Sequence, residues 1–138
     1  MKGILFLCVA NSARSQMAEG IARAVLPPEV CVFSAGSDPG RLNPLAVRAL
    51  ADDGIDISSH YSKPISAVPA EAIDTVVTLC AEEICPVYPG KVTRLHWPLP
   101  DPAAVVGDES ARIVAFRAVR DEIRRRIESL ISCAPSAR

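Results

Sequence analysis

The stretch that decides the fold is residues 4–25, ILFLCVANSARSQMAEGIARAV. Its first four residues are apolar, which is typical of a short strand buried on both faces of a sheet. Residues 8–14 are small or polar, and from Ser15 onward the apolar side chains follow the helical period. A strand, a tight loop and a helix therefore follow one another directly, and they predict the first βα unit of an α/β fold.

The rest of the chain repeats this alternation of strands and helices. The predicted elements are strands at 30–36, 73–79 and 92–97 and helices at 43–54 and 108–130. Residues 55–70 are expected to form a loop with one short helix, and residues 80–90 and 98–107 to form loops. The pattern predicts an α/β three-layer sandwich with a four-stranded, mostly parallel sheet, as one domain over residues 1–138.

The composition excludes several classes of protein. The 138 residues carry 15 basic and 16 acidic side chains, and the net charge of −1 argues against binding nucleic acid or an anionic membrane by bulk attraction. No apolar run is long enough to cross a membrane, and the N-terminal run is too short for a signal peptide. The five cysteines are an odd number, so they do not form a closed disulfide framework. We expect a cytoplasmic monomer with reduced thiols, no metal site and no cofactor.

The loop after the first strand has the composition of an oxyanion-binding site. Cys8 and Arg14 are separated by five small residues, and Ser15 follows. The N–H groups of such a loop and of the following helix can surround a tetrahedral anion, to which the guanidinium donates two parallel hydrogen bonds. Cys8 would lie beneath the anion, where the positive field and the Ser15 hydroxyl favour a nucleophilic thiolate. The residues expected to bind the anion are Val9, Ala10, Asn11, Ser12 and Ala13, together with Arg14.

Several longer motifs resemble those of one protein family. CVANSARS (residues 8–15) is similar to the phosphate-binding loop of the low-molecular-weight protein tyrosine phosphatases. The longer stretch CVANSARSQMAEG resembles the thioredoxin-coupled arsenate reductases that share this fold. The resemblance continues through FSAGSDPGRLNPLAVRALADDGIDIS, VVTLC, HWPLPDPA and FRAVRDEIRRRIESL, so it covers nearly the whole chain. It implies an enzyme that reduces arsenate to arsenite in arsenic detoxification and that binds phosphate or sulfate as substrate mimics.

The resemblance implies roles for three cysteines and one aspartate. Cys8 forms a covalent adduct with arsenate, and Asp101, in the loop after the fourth strand, is the general acid that protonates the departing hydroxyl. Cys80 then attacks Cys8 and releases arsenite, because two thiols that become a disulfide supply the two electrons. Cys85 attacks Cys80 in turn, and thioredoxin reduces the resulting disulfide.

The spacing of the last two of these cysteines limits their geometry. In a helix, the Cα atoms of Cys80 and Cys85 would be about 9 Å apart, given the helical rise and radius. A disulfide requires about 4.4–6.8 Å, so we predict that residues 80–90 change shape between the reduced and oxidised forms. The other two cysteines are expected to be structural, with Cys31 buried in the second strand and Cys133 in a frayed C-terminal tail.

The resemblance also implies a second site beside the loop. Some relatives bind a monovalent cation through residues that match Asn11, Glu19 and Ser34, together with an aspartate near the position of Lys63. Because this chain carries a lysine there, we expect the Lys63 ammonium to pair with Glu19 and to replace the cation.

Three alternatives compete with the reductase. A low-molecular-weight phosphatase would hydrolyse phosphotyrosine through a Cys8 phosphoenzyme, but such enzymes commonly carry aromatic residues after the Asp-Pro pair, where this chain has AAVV at 103–106. A phosphatase also has no need for Cys80 and Cys85. A non-catalytic anion-binding module would not need a cysteine in its loop. An ordinary core cysteine followed by a helix would share the spacing, but the strand–loop–helix setting and the adjacent serine favour an anion site.

Overall fold

A computed structural model describes residues 1–81 and 85–132 of the chain. Strands alternate with helices along these residues. The strands are β1 (Gly3–Cys8), β2 (Cys31–Gly36), β3 (Thr75–Thr78) and β4 (Thr93–His96). The helices are α1 (Arg14–Val25), α2 (Pro44–Ala51) and α3 (Glu109–Ser132). Short 3-10 helices span Ile65–Ala67, Ala70–Ala72 and Pro102–Ala104.

The four strands form one parallel sheet in the order β2-β1-β3-β4. β1 is central, since Leu7 pairs with Ala35 of β2 and with Thr78 of β3. All four carboxyl ends therefore lie at the same edge, which is where open α/β sheets bind ligands. The predicted fold class is confirmed. β3 is shorter than its apolar run because Ile73 closes the preceding 3-10 turn.

β1 separates two apolar layers, because successive side chains of a strand point to opposite faces. Ile4 and Phe6 belong to the apolar cluster that includes the buried faces of all three helices. Leu5 and Leu7 belong to the cluster on the other face. That second cluster also contains Ala35, Val68, Ile73, Val76 and Tyr88, with Ile65 and Val92 packed against it. The third layer of the sandwich therefore consists of 3-10 helices and loop segments.

The two later helices follow their sequence signals. Asn43 caps α2, because its Oδ1 accepts a hydrogen bond from the Leu45 N–H at 2.9 Å, and Pro44 occupies the first helical position. The predicted apolar stripe of α3 is buried, and Leu130 at its end is half-buried. The buried members of the stripe are Ile113, Phe116, Val119, Ile123 and Ile127. No helix within residues 1–81 and 85–132 has the length and apolar character needed to cross a membrane.

Two of the five cysteines do not confirm the expectations from the sequence. The prediction that Cys31 is buried is wrong, because it is the first residue of the edge strand β2 and its side chain is exposed. The following residue, Val32, is the first of β2 to enter the core. Cys133 lies outside the described residues. The short helix expected in residues 55–70 is Ile65–Ala67, and a second 3-10 turn follows it.

The packing of α3 gives a direct test of the helical layer. Ile123 is 0% exposed, so Ile123→Ala should lower the free energy of unfolding by about 2–5 kcal/mol, since it leaves a cavity in the core. Val114 on the same helix is 61% exposed, so Val114→Ala should change the free energy of unfolding by less than about 0.5 kcal/mol. Urea denaturation followed by circular dichroism measures both, and equal losses would contradict the assigned buried face.

Candidate active site

The loop between β1 and α1 lies at the carboxyl edge of the sheet. Cys8 ends β1 and is 3% exposed, and α1 begins six residues later at Arg14. Ala13 occupies the N-cap position, and no side chain of the described residues caps the helix there. The first N–H groups of α1 and the positive end of its dipole are therefore directed at the loop, which favours an anion.

Asn11 gives the loop its tight curvature. It has φ = 51°, in the left-handed region that asparagine tolerates better than most residues, and its side chain is fully buried. In this conformation its backbone N–H donates a hydrogen bond to Cys8 Sγ at 3.3 Å. The curvature of the loop therefore points a backbone dipole at the sulfur, which stabilises negative charge there.

A chain of side-chain hydrogen bonds reaches the same sulfur. Asn11 Nδ2 donates to Ser15 Oγ at 2.8 Å and to Ser34 Oγ at 3.0 Å. The Ser15 hydroxyl, which accepts from Asn11, lies 2.8 Å from Cys8 Sγ and can donate its own proton when the sulfur is a thiolate. The Asn11 N–H and the Ser15 hydroxyl are therefore both placed to donate to a Cys8 thiolate, the form that acts as a nucleophile.

Arg14 is oriented by carbonyl groups from two other parts of the chain. Its Nη1 donates to the Leu99 carbonyl at 2.9 Å and to the Leu79 carbonyl at 3.4 Å, and the residue is 5% exposed. These bonds fix the plane of the guanidinium, which is suited to bidentate contact with an oxyanion. They also link Arg14 to the residue before Cys80 and to the segment that leads to Asp101.

Asp101 shares a cavity with the loop. It lies on the exposed segment after β4, and its Oδ1 accepts a hydrogen bond from the Ala103 N–H at 3.0 Å. The cavity has a volume of about 210 Å³ and is lined by Cys8, Val9, Ala10, Ser12, Ala13, Arg14 and Asp101. None of these described lining residues is aromatic. The predicted nucleophile, anion-binding loop and general acid thus surround one space that can hold a small tetrahedral anion.

Cys80 and Cys85 form a disulfide at the same edge of the sheet, with their Cα atoms 5.5 Å apart. Because Leu7 pairs with Thr78, Cys80 follows directly after the part of β3 that lies beside the end of β1. Cys80 is 2% exposed and Cys85 is half-buried. Residues 82–84 between them lie outside the described residues. The predicted change of shape on reduction stays a prediction.

The chain beyond the disulfide is fixed to β4. Arg94 Nη1 donates to the Tyr88 carbonyl at 2.6 Å, and its Nη2 donates to the Gly90 carbonyl at 2.7 Å. Gly90 has φ = 104°, which a residue with a side chain adopts only under strain. In this oxidised form residues 88–90 are therefore joined to β4, and the predicted change of shape over residues 80–90 would have to break these bonds.

Behind the loop, Glu19 is 5% exposed and is surrounded by hydrogen-bond donors. Its carboxylate accepts from the Ser34 hydroxyl at 2.5 Å and pairs with Arg23 at 3.0 Å. Lys63 Nζ lies 3.6 Å from Glu19 Oε1. Since Ser34 also accepts from Asn11, the structure places the four residues of the predicted second site in one connected group. Within the described chain, no group of three histidine, cysteine or carboxylate side chains is arranged to hold a metal ion.

Sequence reasoning missed three residues that hold the loop from behind. Gln16 is fully buried and its Nε2 lies within hydrogen-bond distance of both oxygens of Asn11. Ser62 Oγ donates to the Asn11 carbonyl at 2.6 Å, and His60 contacts Gln16. Residues 60–62 belong to no motif, and Gln16 is one of several buried polar residues in the first turns of α1, so the sequence offered no signal that set it apart.

Gly36 at the end of β2 is a further loop contact that the sequence did not reveal. A Cβ atom there would collide with the Val9 carbonyl oxygen and would lie 3.0 Å from the Asn11 backbone nitrogen. The absence of a side chain at Gly36 therefore lets the edge strand approach the loop closely.

Comparisons with known proteins agree with this geometry. A family model described as low molecular weight phosphotyrosine protein phosphatase matches residues 3–134. An arsenate reductase of Halalkalibacterium halodurans is 45% identical over 130 residues, which are 93% of this chain and 94% of that protein. The solved structure of an arsenate reductase in the phosphate binding state has 33% identity and a TM-score of 0.78, and the match covers 96% of this chain and 98% of that one.

A further solved structure is that of the thioredoxin-dependent arsenate reductase of Corynebacterium glutamicum. It has 32% identity and a TM-score of 0.72, and the match covers 96% of this chain and 61% of that one. The family model spans almost the whole chain, and it includes the anion-binding loop, both later cysteines and Asp101. The chain therefore belongs to the low molecular weight phosphotyrosine protein phosphatase family.

Proposed function

We propose that this protein reduces arsenate to arsenite with three cysteines, in arsenic detoxification, and that a thioredoxin regenerates it. The observation that carries the proposal is the Cys80–Cys85 disulfide beside an anion-binding loop whose own Cys8 is a free thiol. Hydrolysis of a phosphate ester would use the loop but has no role for the disulfide. The 45% identity to an arsenate reductase supports the same conclusion.

The first step is the attack of Cys8 on the arsenic atom. The N–H groups of residues 9–14 and the Arg14 guanidinium bind the arsenate oxygens, and phosphate or sulfate would occupy the same position as mimics. A bond forms between Cys8 Sγ and arsenic while an arsenic–oxygen bond breaks. Asp101, which lines the same cavity, gives its proton to the departing oxygen, which leaves as water.

The next two steps move the oxidised state away from the loop. The Cys80 thiolate attacks the Cys8 sulfur, the electron pair of the sulfur–arsenic bond goes to arsenic, and arsenite leaves. The Cys85 thiolate then attacks Cys80, which forms the Cys80–Cys85 disulfide and restores the Cys8 thiolate. Two thiols are oxidised for the two electrons that arsenate gains. A Cys80–Cys85 disulfide with Cys8 free is the state that this order of steps leaves behind.

The proposed reductant of the disulfide is thioredoxin. Because Cys80 is 2% exposed and Cys85 is half-buried, an external thiolate reaches Cys85 more readily. The similarity to a thioredoxin-dependent arsenate reductase supports this partner. The expected location is the cytoplasm, where thioredoxin is kept reduced.

A phosphotyrosine phosphatase is the second candidate, because the loop, Arg14 and Asp101 would serve both reactions. Phosphate esters with a phenyl ring need an apolar surface beside the loop, and the described lining of the cavity holds no aromatic side chain. Residues 103–106, after Asp101, are alanine and valine, and Val106 is 89% exposed. The reductase is therefore favoured, with weak phosphatase activity as an expected side reaction.

We also propose that Lys63 takes the place of the monovalent cation that some relatives bind. The residues present do not fit a cation. Asn11 turns its Nδ2 group, a donor, towards Ser34, and its Oδ1 already accepts from the Lys63 backbone N–H at 3.0 Å. The carboxylate of Glu19 is already balanced by Lys63 and Arg23. A tethered ammonium therefore supplies the positive charge that an ion would otherwise bring.

The relay makes a prediction that separates the three cysteines. Cys85→Ser should release one equivalent of arsenite and then stop in the presence of thioredoxin and its reductase, because Cys8 and Cys80 supply two electrons once. Cys8→Ser and Cys80→Ser should release none. Arsenite is measured by liquid chromatography with elemental mass spectrometry, under single-turnover and multiple-turnover conditions.

Cys31→Ser is the matched control for the relay, because Cys31 is an exposed free thiol at the start of β2, away from the carboxyl edge. It should retain full turnover. Undiminished multiple turnover in Cys85→Ser would reject the relay. Rapid hydrolysis of p-nitrophenyl phosphate that needs Cys8 alone, without arsenate reduction by the unmodified protein, would favour the phosphatase.

The proton donor gives a second prediction. Asp101→Asn should slow the first step by about 10²–10⁴-fold, since an amide cannot protonate the departing oxygen. The asparagine oxygen can still accept from the Ala103 N–H, so the loop should keep its structure. Stopped single-turnover reactions, quenched and assayed for arsenite, measure the rate. A loss of less than threefold would show that another group provides the proton.

If Lys63 replaces the cation, the thermal stability of the protein should not depend on potassium. The midpoint of thermal unfolding should be the same in potassium and sodium chloride at equal ionic strength, since the ammonium already lies beside Glu19. Lys63→Met should lower this midpoint in both salts, because it leaves Glu19 with fewer partners. Differential scanning fluorimetry makes the comparison. A large stabilisation of the unmodified protein by potassium alone would contradict the proposal.

A further inference from the structure

The anion-binding loop is held from behind by a segment that the reaction itself does not use. Tyr61, Ser62 and Lys63 all contribute hydrogen-bonding groups to this region, and the Lys63 carbonyl also accepts from the Gly36 N–H at 2.9 Å. Gln16, in the first turns of α1, lies between this segment and the loop and is fully buried. It contacts the loop, this segment and the His60 side chain together.

The orientation of the Gln16 amide is fixed by its surroundings. Its Nε2 lies 2.9 Å from the Tyr61 carbonyl, 3.1 Å from Asn11 Oδ1 and 3.2 Å from the Asn11 carbonyl. All three neighbours are oxygens without a proton, so the amide nitrogen must face them. Its oxygen, Oε1, therefore faces His60 Nδ1 at 3.1 Å.

This orientation determines the role of His60. An amide oxygen can only accept, so His60 Nδ1 must carry the proton and donate it to Gln16. The side chain of His60 is 17% exposed. Its burial lowers the pKa of the imidazole below its usual value, against a smaller opposing effect of the Glu19 carboxylate. A neutral ring with its proton on Nδ1 thus serves as a fixed donor.

We propose that Gln16, oriented by His60, is a positioning residue that holds Asn11 in its left-handed turn and so aims the Asn11 N–H at Cys8 Sγ. The proposal rests on the proposed function in that Cys8 is taken as the nucleophile. Gln16 contacts both oxygens of Asn11 and neither the sulfur nor the anion cavity. It acts on Cys8 through the loop conformation alone.

The physical reason is that Asn11 is both buried and in an unfavourable backbone region. A left-handed residue stays in place only if its surroundings bind its polar groups. Ser62 and the Lys63 N–H each satisfy one oxygen of Asn11, and Gln16 is the donor shared by both. Without that donor, Asn11 can turn towards the ordinary backbone region, and its N–H then leaves the sulfur.

The test is the reactivity of Cys8 towards iodoacetamide at pH 7, which reports the thiolate and requires no arsenate. Gln16→Met keeps the approximate shape and removes the donor, and it should slow alkylation of Cys8 about tenfold, the usual effect of losing a hydrogen bond to a charged group. Mass spectrometry of the peptide that contains Cys8 measures the rate separately from those of the other cysteines.

Two variants at His60 distinguish a positioning role from a merely structural one, because only one of them keeps a donor to Gln16. Asn places its amide nitrogen close to the position of His Nδ1, so His60→Asn should keep the alkylation rate within twofold of the unmodified protein. His60→Leu cannot donate to Gln16 and should slow alkylation several-fold. The double variant of His60→Leu with Gln16→Met should react no more slowly than Gln16→Met alone, because both act through one chain of hydrogen bonds.

The outcomes separate this inference from the proposed function. Two results would overturn the positioning role. One is an unchanged alkylation rate of Cys8 in a Gln16→Met protein that is shown to be folded by cooperative thermal unfolding. The other is an equal alkylation rate in His60→Asn and His60→Leu. If Gln16→Met fails to fold, the two His60 variants decide alone, since that side chain lies nearer the surface. A protein that reduces no arsenate but shows the predicted order of alkylation rates would contradict the proposed function and leave this inference standing.

Discussion

The buried, left-handed Asn11 is the constraint on which the candidate site depends. Its N–H donates to Cys8, its Nδ2 orients Ser15 and Ser34, and its two oxygens accept from the surrounding chain. Inside a protein each of these bonds is stronger than in water, and the two oxygens and Nδ2 of Asn11 each take part in two of them, so the loop conformation is held from several directions. The backbone conformation of Asn11 thus directs its N–H towards Cys8, and its side chain links the loop to Ser15, to Ser34 and, through Ser34, to Glu19.

The parallel sheet supplies the second requirement, which is that residues far apart in sequence meet at one edge. Cys8, Cys80 and Asp101 follow three different strands, and all strands end on the same side because all are parallel. Arg14 joins these segments, since it donates to the carbonyls of Leu79 and Leu99. Displacement of either later segment would therefore also disturb the Arg14 guanidinium, which lines the cavity beside Cys8.

Much of this architecture could be predicted from the sequence, because it depends on local patterns. The apolar run at 4–7 and the helical stripe of α3 identify buried faces, and the spacing from Cys8 to Ser15 identifies the loop. Cys31 was wrongly expected to be buried, since strand periodicity does not reveal which strand lies at the edge of the sheet. Gln16 and His60 gave no usable signal, because their role arises from contacts between segments more than forty residues apart.

The burial of the three thiols accounts for the order in which the proposed relay uses them. Cys8 and Cys80 are at most 3% exposed, and Cys85 is half-buried. A nucleophile surrounded by aligned donors needs a site from which bulk water is excluded, because water would compete for the same hydrogen bonds. A protein reductant needs a sulfur that it can reach in line with the disulfide. No single cysteine meets both demands, so in the proposed relay the disulfide moves outward from Cys8 to the Cys80–Cys85 pair, of which Cys85 is the more accessible sulfur.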